Sequence, residues 1–325
     1  MPYQNPNPNV IIIGGGLTGI SAAWELENLG VDYTLIEVKP RLGGAIMTEK
    51  RGGFIMDGTA FVIEKYGAWD FLEPLGLSDA MRFVGRYRDG RLAIFKDGTQ
   101  ALIDAITSKL THPILYRMAV SSVGKLETNA AGSSARFGVC LENGLLMDAS
   151  ALIITVPARY AGHLLYSLDP TAALLLDGYE YDSVARVHLG IRAADLRDPL
   201  PAPAPFKYLE LYTYPDRVPD DYALIRAGVR VDTTRPFDPA ALVDQVKARL
   251  SLTADPVVQW VYYWAEADPL TRHLPEHLAT MDALDALLPP TVALVGSDYR
   301  AKRLEQQVDQ GRAAARRIAA ALTGS

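Results

Sequence analysis

A strand, a glycine turn, a helix and a second strand near the start of the chain limit the fold more than any other feature. Residues 10–13 have the sequence VIII, a β-branched run typical of a parallel strand that is buried on both faces. The turn that follows has the spacing GxGxxG, with glycines at Gly14, Gly16 and Gly19. Residues 20–29 have a helical pattern, and residues 32–37 form a second apolar strand that ends in Glu37. This order predicts a β-α-β unit that binds a dinucleotide.

Each part of this turn has its own physical purpose. The predicted cofactor contacts here are Gly14, Gly16, Leu17, Thr18 and Gly19. The first glycine makes the tight turn, the second lets the backbone approach a pyrophosphate, and the third lets helix and strand pack closely. The helix N-terminus faces the phosphate charge. The carboxylate of Glu37 is expected to accept hydrogen bonds from the adenosine ribose.

Composition narrows the class of protein further. A chain of 325 residues is long enough for two domains. A formal net charge of −6, without a dense run of lysine and arginine, argues against binding to nucleic acid or to an anionic membrane surface. The single cysteine, Cys140, excludes an internal disulfide and a multi-thiolate metal site, and no metal site is expected.

The apolar runs of the chain also bear on its location. None approaches the ~20 residues needed to cross a bilayer, so integral membrane association is not expected. Residues 1–9, MPYQNPNPN, contain no basic residue, and the apolar run after them is too short for the core of a signal peptide. We therefore expect a cytoplasmic protein.

The glycine turn alone does not distinguish NAD from FAD, but the sequence after it does. Residues 41–48, RLGGAIMT, follow closely on Glu37, and residues 53–63 have the sequence GFIMDGTAFVI. Both segments resemble the superfamily of flavin amine oxidases and protoporphyrinogen oxidases, which bind FAD. In that superfamily an R-x-G-G element follows the ribose-binding glutamate and packs against the cofactor. The resemblance implies cofactor contacts from Arg41, Gly43, Gly44, Gly58 and Thr59.

Two later strands extend the resemblance. The strand predicted over residues 114–120 is similar to one whose last valine contacts the adenine, which implies that role for Val120. Residues 151–156, ALIITV, resemble the strand that passes under the FAD and places Thr155 beside it.

The C-terminal segment completes the resemblance. Residues 292–322 predict a strand, a glycine turn and a long helix similar to a flavin-binding stretch. Gly296 and Ser297 are then expected beside the ribityl chain, and the amide of Val308, at a helix N-terminus, facing the flavin pyrimidine. A helix N-terminus stabilises negative charge on the ring. The predicted inward face of the helix contains Val308, Ala315, Ile318, Ala319 and Leu322.

These patterns predict an α/β fold, in which a Rossmann-type FAD-binding domain of the GR2 family, with a β-meander, accompanies an α+β substrate domain. Strands over 136–141 and 145–149 flank Asn143-Gly144, which favours a type I′ turn. Farther on, alternating residues with clustered prolines and aromatics indicate antiparallel strands and a few helices. The predicted FAD-binding domain comprises 1–60, 97–158 and 286–325, and the predicted substrate domain comprises 61–96 and 159–285.

The chain departs at two places from the protoporphyrinogen oxidase branch, which it resembles in most detail. That branch inserts a largely helical domain for substrate and membrane association, whereas here Phe95 passes almost directly to Gly98. Much of the porphyrinogen pocket wall would then be absent. Residues 300–307, RAKRLEQQ, also replace a glycine-rich turn near the flavin. A large planar substrate is therefore not expected.

Three residues are candidates for contact with a substrate near the flavin: Arg186, His188 and Arg303. By resemblance, Arg186 occupies the position where amine oxidases commonly place a lysine near flavin N5. Arg303 occupies the position of an aromatic side chain that encloses the amine. Arginine at either position repels a cationic amine and favours an anionic, carboxylate-bearing substrate. Alternatively, Arg186 and His188 form a solvated or ion-paired face of one strand.

The resemblance implies an FAD-dependent oxidoreductase. The FAD is expected to be non-covalent, because Cys140 lies in the predicted hairpin. A hydride would pass from a C–H bond of a small organic substrate to flavin N5, with oxygen or another acceptor reoxidising the flavin. The substrate stays open. The alternatives are a renalase-like oxidase of reduced nicotinamides and a flavin-binding protein without turnover.

Overall fold

The structure is a computed structural model that describes residues 8–126, 136–196 and 199–323. The opening segment, residues 1–7, lies outside the described residues. The helices are α1 (Leu17–Leu29), α2 (Gln100–Thr107), α3 (Ala158–Leu165), α4 (Pro170–Leu175), α5 (Pro239–Leu250), α6 (His277–Leu287) and α7 (Leu304–Thr323). The strands are β1 (Val10–Ile13), β2 (Tyr33–Glu37), β3 (Thr48–Arg51), β4 (Phe54–Asp57), β5 (Ile63–Lys65), β6 (Met81–Tyr87), β7 (Gly90–Phe95), β8 (Ile114–Tyr116), β9 (Val120–Leu126), β10 (Arg136–Leu141), β11 (Leu146–Ala149), β12 (Ala151–Ile154), β13 (Val184–Arg192), β14 (Tyr208–Tyr212), β15 (Tyr222–Arg230), β16 (Val258–Tyr263) and β17 (Val292–Leu294).

The chain divides into two compact units. The first comprises Met1–Gly44, Leu102–Glu180 and Pro269–Ser325, and the second comprises Ala45–Ala101 and Tyr181–Asp268. These limits differ from the predicted domain boundaries: residues 45–60 and 97–101 belong to the second unit, and 159–180 and 269–285 belong to the first. Helices α3 and α4 lie in the first unit because they pack with β9, with each other and with α6. The assignment of FAD and substrate to separate domains stays a prediction.

A five-stranded parallel sheet forms the centre of the first unit. Its strand order is β17-β12-β1-β2-β8, and every neighbouring pair is parallel. Every residue of β1, β2 and β12 is buried, as expected for a parallel sheet covered on both faces. Helices α1 and α7 pack so closely that a Cβ on Gly311 would lie 2.3 Å from the Thr18 carbonyl oxygen. The predicted Rossmann-type domain is thus confirmed.

The segment predicted as one strand over residues 114–120 is two strands. β8 ends at Tyr116, and Val120 begins β9 in the antiparallel meander β11-β10-β9. Arg117 between them has a positive φ of 56°, a left-handed conformation that cannot continue a strand. The prediction of one continuous strand was wrong because the pattern of apolar residues gives no information on the backbone dihedral φ of Arg117.

The hairpin of the meander is present, but its turn differs from the prediction. A type I′ turn needs positive φ at both central residues, and of Asn143 and Gly144 only Gly144 has it, at 84°. The Leu141 N–H donates to the Leu145 carbonyl oxygen at 2.9 Å, and the Gly144 N–H donates to the Leu141 carbonyl oxygen at 2.9 Å. The result is a three-residue loop closed by a left-handed glycine.

Antiparallel sheets form the second unit. Their strand orders are β3-β4, β5-β7-β6 and β14-β15-β13-β16. One face of the four-stranded sheet packs on α5 through an apolar cluster that includes Val187, Leu189, Ile225, Ala227, Leu242 and Val246. Asp238 caps α5, since its carboxylate accepts the amides of Ala240 and Ala241. The predicted α+β architecture is confirmed, and among the described residues no helix has the length and apolarity to span a bilayer.

Candidate functional site

The carboxyl edge of the parallel sheet brings together predicted cofactor residues that are far apart in the sequence. Gly14 follows β1, Glu37 ends β2, Thr155 follows β12 and Gly296 lies just beyond β17. Parallel strands end at the same edge of their sheet, and ligands of such sheets bind in the crevice there. This edge is the candidate cofactor site.

The three glycines of the first turn have different surroundings. Gly14 has a positive φ of 106°, and a Cβ there would lie 2.7 Å from the Thr155 hydroxyl oxygen. A Cβ on Gly19 would lie 1.9 Å from the Gly14 carbonyl oxygen, so no side chain fits at that position. A Cβ on Gly16 would meet no atom within 4 Å. The first and third glycines therefore permit close packing, whereas the second borders open space.

Open backbone amides lie beside Gly16. This residue is the N-cap of α1, no described side chain caps the helix, and its first turn holds no acidic residue. The amides of Leu17, Thr18 and Gly19 precede the first i to i−4 hydrogen bond, which Ile20 donates to Gly16 at 3.0 Å. Amides of this kind, at the positive end of a helix dipole, are suited to a phosphate group.

The Glu37 carboxylate accepts backbone hydrogen bonds from both neighbouring loops. Its Oε2 accepts the Gly15 amide at 2.6 Å and its Oε1 accepts the Lys39 amide at 2.7 Å. Each carboxylate oxygen can accept a further hydrogen bond, which leaves capacity for a ribose hydroxyl. Sequence reasoning misses Gly15, because GxGxxG allows any residue there. A Cβ on Gly15 would lie 2.4 Å from Leu42 and 2.9 Å from Glu37 Oε2. The signal is the unbroken run of three glycines.

The second glycine pair packs against the first turn. The Gly43 amide donates to the Gly15 carbonyl oxygen at 2.8 Å, and a Cβ on Gly44 would lie 3.2 Å from the Gly16 Cα. Both residues of the pair have positive φ, 100° and 56°. Arg41 donates to two carbonyl oxygens of its own loop at 3.0 and 2.9 Å. The predicted R-x-G-G element is therefore part of the same backbone cradle.

Thr155 and Val120 lie at opposite sides of this edge. The Thr155 hydroxyl donates to the Gly14 carbonyl oxygen at 2.8 Å and so positions the glycine turn. Val120 opens β9, and two residues earlier the Met118 amide donates to the Glu37 carbonyl oxygen at 3.1 Å. Val120 is thus held near the end of β2, although it begins a strand instead of ending one.

The C-terminal segment puts its free amides one turn earlier than predicted. Helix α7 begins at Leu304, so Val308 lies in the second turn, is fully buried, and by helical geometry pairs its amide with the Leu304 carbonyl. The amides without an i−4 acceptor are those of residues 304–306. Before the helix, Gly296 has a positive φ of 150°, and the Ser297 carbonyl accepts from Arg272 Nη1 at 3.0 Å.

Gly58 and Thr59 have internal partners in the second unit. A Cβ on Gly58 would lie 2.5 Å from the Tyr262 ring, and the Thr59 hydroxyl donates to the Ala45 carbonyl oxygen at 3.0 Å. Asp57 before them is fully buried and pairs with Arg217 Nη2 at 2.7 Å. The loop is therefore fixed by a buried ion pair.

Both candidate arginines are ion-paired. Arg186 is 5% exposed, and its Nη2 lies 2.6 Å from an oxygen of Asp268. Arg303 contacts Glu305 in the same way. Of the two interpretations of Arg186, the ion-paired face describes what is observed. Since both charges are already compensated, neither arginine supports the preference for an anionic substrate.

His188 is neutral. Its side chain is fully buried, and Nε2 lies 3.0 Å from the Asp57 carbonyl oxygen. Burial, and then the positive charge of Arg226, lower its pKa to about 3. Arg226 is a residue that sequence reasoning misses, and the signal is one charge within the otherwise apolar run ALIRAGV of β15.

The parallel sheet, the glycine turn and the acid at the end of β2 define a dinucleotide-binding domain of the Rossmann type, and residues 12–75 match the family model described as an NAD(P)-binding Rossmann-like domain. Residues 80–319 match the family described as flavin containing amine oxidoreductase. The chain belongs to this family of flavin-dependent oxidoreductases, which confirms the predicted superfamily.

Individual relatives agree with this family. The coproporphyrinogen III oxidase of Bacillus subtilis is 40% identical over 77 residues, 21% of this chain and 16% of that protein. The carotenoid 3,4-desaturase of Haloarcula japonica is 35% identical over 98 residues, 28% of this chain and 19% of that protein. The matches thus span less than a fifth of each relative. A protein of Exiguobacterium sp. 255-15, provisionally assigned as a protoporphyrinogen oxidase, has the same fold, with a TM-score of 0.77, 14% identity and coverage of 97% and 99%.

Proposed function

We propose that this chain is an FAD-dependent oxidoreductase of protoporphyrinogen-oxidase-like descent that acts on a small organic substrate. The observation that carries the proposal is the row of amides at the start of α1, uncapped by any described side chain and next to the open side of Gly16. The carboxylate of Glu37 ends the neighbouring strand β2. This combination fits the pyrophosphate and ribose of a dinucleotide.

Several groups of the chain then share the binding of FAD. The amides of Leu17 and Thr18 hold the pyrophosphate, Glu37 binds the adenosine ribose, and the segment at Val120 lies beside the adenine. The first-turn amides of α7 supply positive charge to the ring. Bound FAD supplies a two-electron acceptor for a hydride from a substrate C–H bond, with oxygen or another acceptor taking the electrons afterwards.

We propose that the FAD is held without a covalent bond. The only cysteine, Cys140, lies in β10 of the meander and not in the C-terminal segment assigned to the flavin. Heat or acid should therefore release intact FAD from the purified protein.

The substrate is proposed to be smaller than a porphyrinogen. Coproporphyrinogen III oxidase is among the similar proteins, but here β7 ends at Phe95 and α2 begins at Gln100, with a single turn between them. The helical insertion that lines a porphyrinogen pocket in the resembling branch has no counterpart at this place.

The test is to purify the protein, identify its flavin, and mix it anaerobically with porphyrinogens, reduced nicotinamides, amines and carotenoid precursors. We expect a yellow protein whose FAD absorbance is bleached by one of these classes. Bleaching by reduced nicotinamides would favour the renalase-like alternative, and a yellow protein bleached by none would favour a flavin-binding protein without turnover. A colourless protein that takes up no FAD would refute the proposal.

A further inference from the structure

A row of polar and aromatic side chains crosses the four-stranded sheet of the second unit. The register places Glu210, Arg226, His188 and Trp260 opposite one another on β14, β15, β13 and β16. Residues paired in this way point to the same face of a sheet. The residues that alternate with them form the apolar cluster on α5. The row therefore lies on the face that α5 does not cover.

The Arg226 guanidinium has N–H donors that lack a close acceptor among the described residues. Its side chain is buried, with the residue 9% exposed, and its closest acceptor is Glu210 Oε2, 3.4 Å from Nη1. Charge-assisted N–H···O bonds usually measure about 2.7–2.9 Å, and a guanidinium has five N–H donors. Arg226 Nε has no hydrogen-bond partner among the described residues. Burial lowers the pKa of Arg226, but Tyr208, Glu210, Tyr212 and Asp57 together raise it by more, so the group stays a cation.

Two more buried polar atoms on this face lack a partner in the described parts of the chain: the Tyr208 hydroxyl and His188 Nδ1. The Arg226 guanidinium lies 5.0 Å from the centre of the Tyr208 ring. That ring occupies the space over Gly228, where a Cβ would come within 2.5 Å of it. Buried polar atoms are rarely left without partners. Arg226 Nε and the Tyr208 hydroxyl can both donate, so together they indicate a ligand with acceptor atoms. His188 Nδ1 is an acceptor, because Nε2–H donates to the Asp57 carbonyl oxygen, and it is not counted as a partner of that ligand.

We infer that this face binds the carboxylate of a small planar acid, with Arg226 as the ion partner and the Tyr208 hydroxyl as a further donor. A carboxylate accepts from Nε and one Nη of a guanidinium at the same time. Trp260, which is half-buried on β16, provides an apolar ring for the body of the acid; its ring centre lies 5.3 Å from that of the buried Tyr262, with the ring planes 45° apart. The further claim that this acid is the oxidised substrate rests on the proposed function, whereas the binding itself does not.

The experiment measures binding of benzoate and of its neutral isostere benzamide by isothermal titration calorimetry. We expect wild type to prefer benzoate at least about tenfold, and Arg226→Gln to weaken benzoate roughly 10- to 100-fold with little effect on benzamide. Arg226→Lys keeps the charge but loses the bidentate geometry and should lie in between. Tyr208→Phe should weaken benzoate several-fold. Arg230→Gln is the matched control, an exposed arginine on the same strand, and should stay within about twofold of wild type.

Several outcomes would overturn the inference. These are no benzoate binding by wild type, equal affinity for benzoate and benzamide, or unchanged benzoate affinity in a folded Arg226→Gln protein. If that variant does not fold, unchanged affinity in both Arg226→Lys and Tyr208→Phe has the same meaning. Flavin bleaching without Arg226-dependent binding would remove the inference and keep the proposed function. Arg226-dependent binding in a protein that takes up no FAD would do the reverse.

Discussion

The carboxyl edge of the parallel sheet and the polar face of the antiparallel sheet are built from different parts of the chain. The edge uses backbone: amides at the start of α1 and glycines that tolerate no side chain, such as Gly19. The face uses side chains, among them Arg226 and His188, that come from separate strands and meet only through register. A site built from backbone groups is specified by the positions of glycines. A site built from side chains is specified by which strands become neighbours in the sheet.

The largest loss of stability is expected at the buried ion pair between Arg217 and Asp57 in the second unit. Arg217→Leu removes the partner of Asp57, and both side chains are fully buried. The substitution leaves an uncompensated carboxylate and two carbonyl oxygens, of Ile55 and Phe95, without their donor. We expect a loss of about 3–5 kcal/mol in the free energy of unfolding, measured with urea.

Asp216→Asn is the matched control for that prediction. It breaks the ion pair between Arg82 and Asp216, which lies at the surface. Its unfolding curve should overlap that of the wild type, since exposed pairs contribute little. Equal losses in the two variants would show that side-chain pairing does not distinguish the interior of this unit from its surface.

At the carboxyl edge of the parallel sheet, the substitution expected to be least tolerated is at Gly19, where the backbone contact is closest. Gly19→Ala introduces a Cβ at 1.9 Å from the Gly14 carbonyl oxygen and 2.8 Å from the Thr155 hydroxyl oxygen. Because Gly14 belongs to the glycine turn after β1 and Thr155 directly follows β12, the helix has to move away from the sheet. We expect about 1–3 kcal/mol of destabilisation, together with loss of FAD binding. A variant with wild-type stability and wild-type FAD affinity would refute the close packing of α1 on the turn.

His188 gives the polar face a distinctive dependence on pH. Burial, and next Arg226, lower its pKa from 6.5 to about 3 in the folded protein. Between these values the unfolded chain binds a proton that the folded chain does not, so stability is complete above pH 6.5 and falls as the pH falls. The slope is about 1.4 kcal/mol per pH unit, or about 2 kcal/mol between pH 6.5 and 5.

The measurement is the urea unfolding free energy of wild type and His188→Gln at pH 7 and pH 5. The difference between the two pH values should be smaller by about 2 kcal/mol in the variant. Other groups that titrate in this range, including carboxylates, are common to both proteins and cancel. His163→Gln, at an exposed position on α3, should keep the wild-type difference. A His188→Gln protein with an unchanged slope would contradict a buried neutral imidazole.

The same contrast explains how much the sequence could predict. β1, α1 and β2 follow from patterns within about 30 residues, so their order and the close packing at Gly14 and Gly19 are predictable, whereas the cofactor contacts of the turn stay a prediction. Arg186 and Asp268 are 82 positions apart, and nothing local to either residue indicates that they pair. Arg226 depends on the register of four strands, which the alternation of residues suggests but does not fix. Helix α7 begins at Leu304, one turn before the predicted N-terminal position of Val308, and its start has no sequence marker as strong as the glycine motif.

The smallest expected change in stability is also the sharpest test of the backbone-built edge. Gly16 has a φ of −69°, which suits any residue, and a Cβ there meets no atom within 4 Å. Gly16→Ala should therefore cost about 1 kcal/mol or less in the free energy of unfolding of the FAD-free protein. The added methyl group nevertheless occupies the space beside the first-turn amides of α1. We expect FAD affinity, measured by titration of the apoprotein, to fall at least about tenfold, since the pyrophosphate needs close approach of the backbone.

Gly30→Ala, at the C-cap of the same helix, also adds its Cβ in open space but at a positive φ of 65°. It should reduce stability by about 1 kcal/mol and leave FAD affinity unchanged. If both variants bind FAD as tightly as wild type, the open side of Gly16 is not where the pyrophosphate binds.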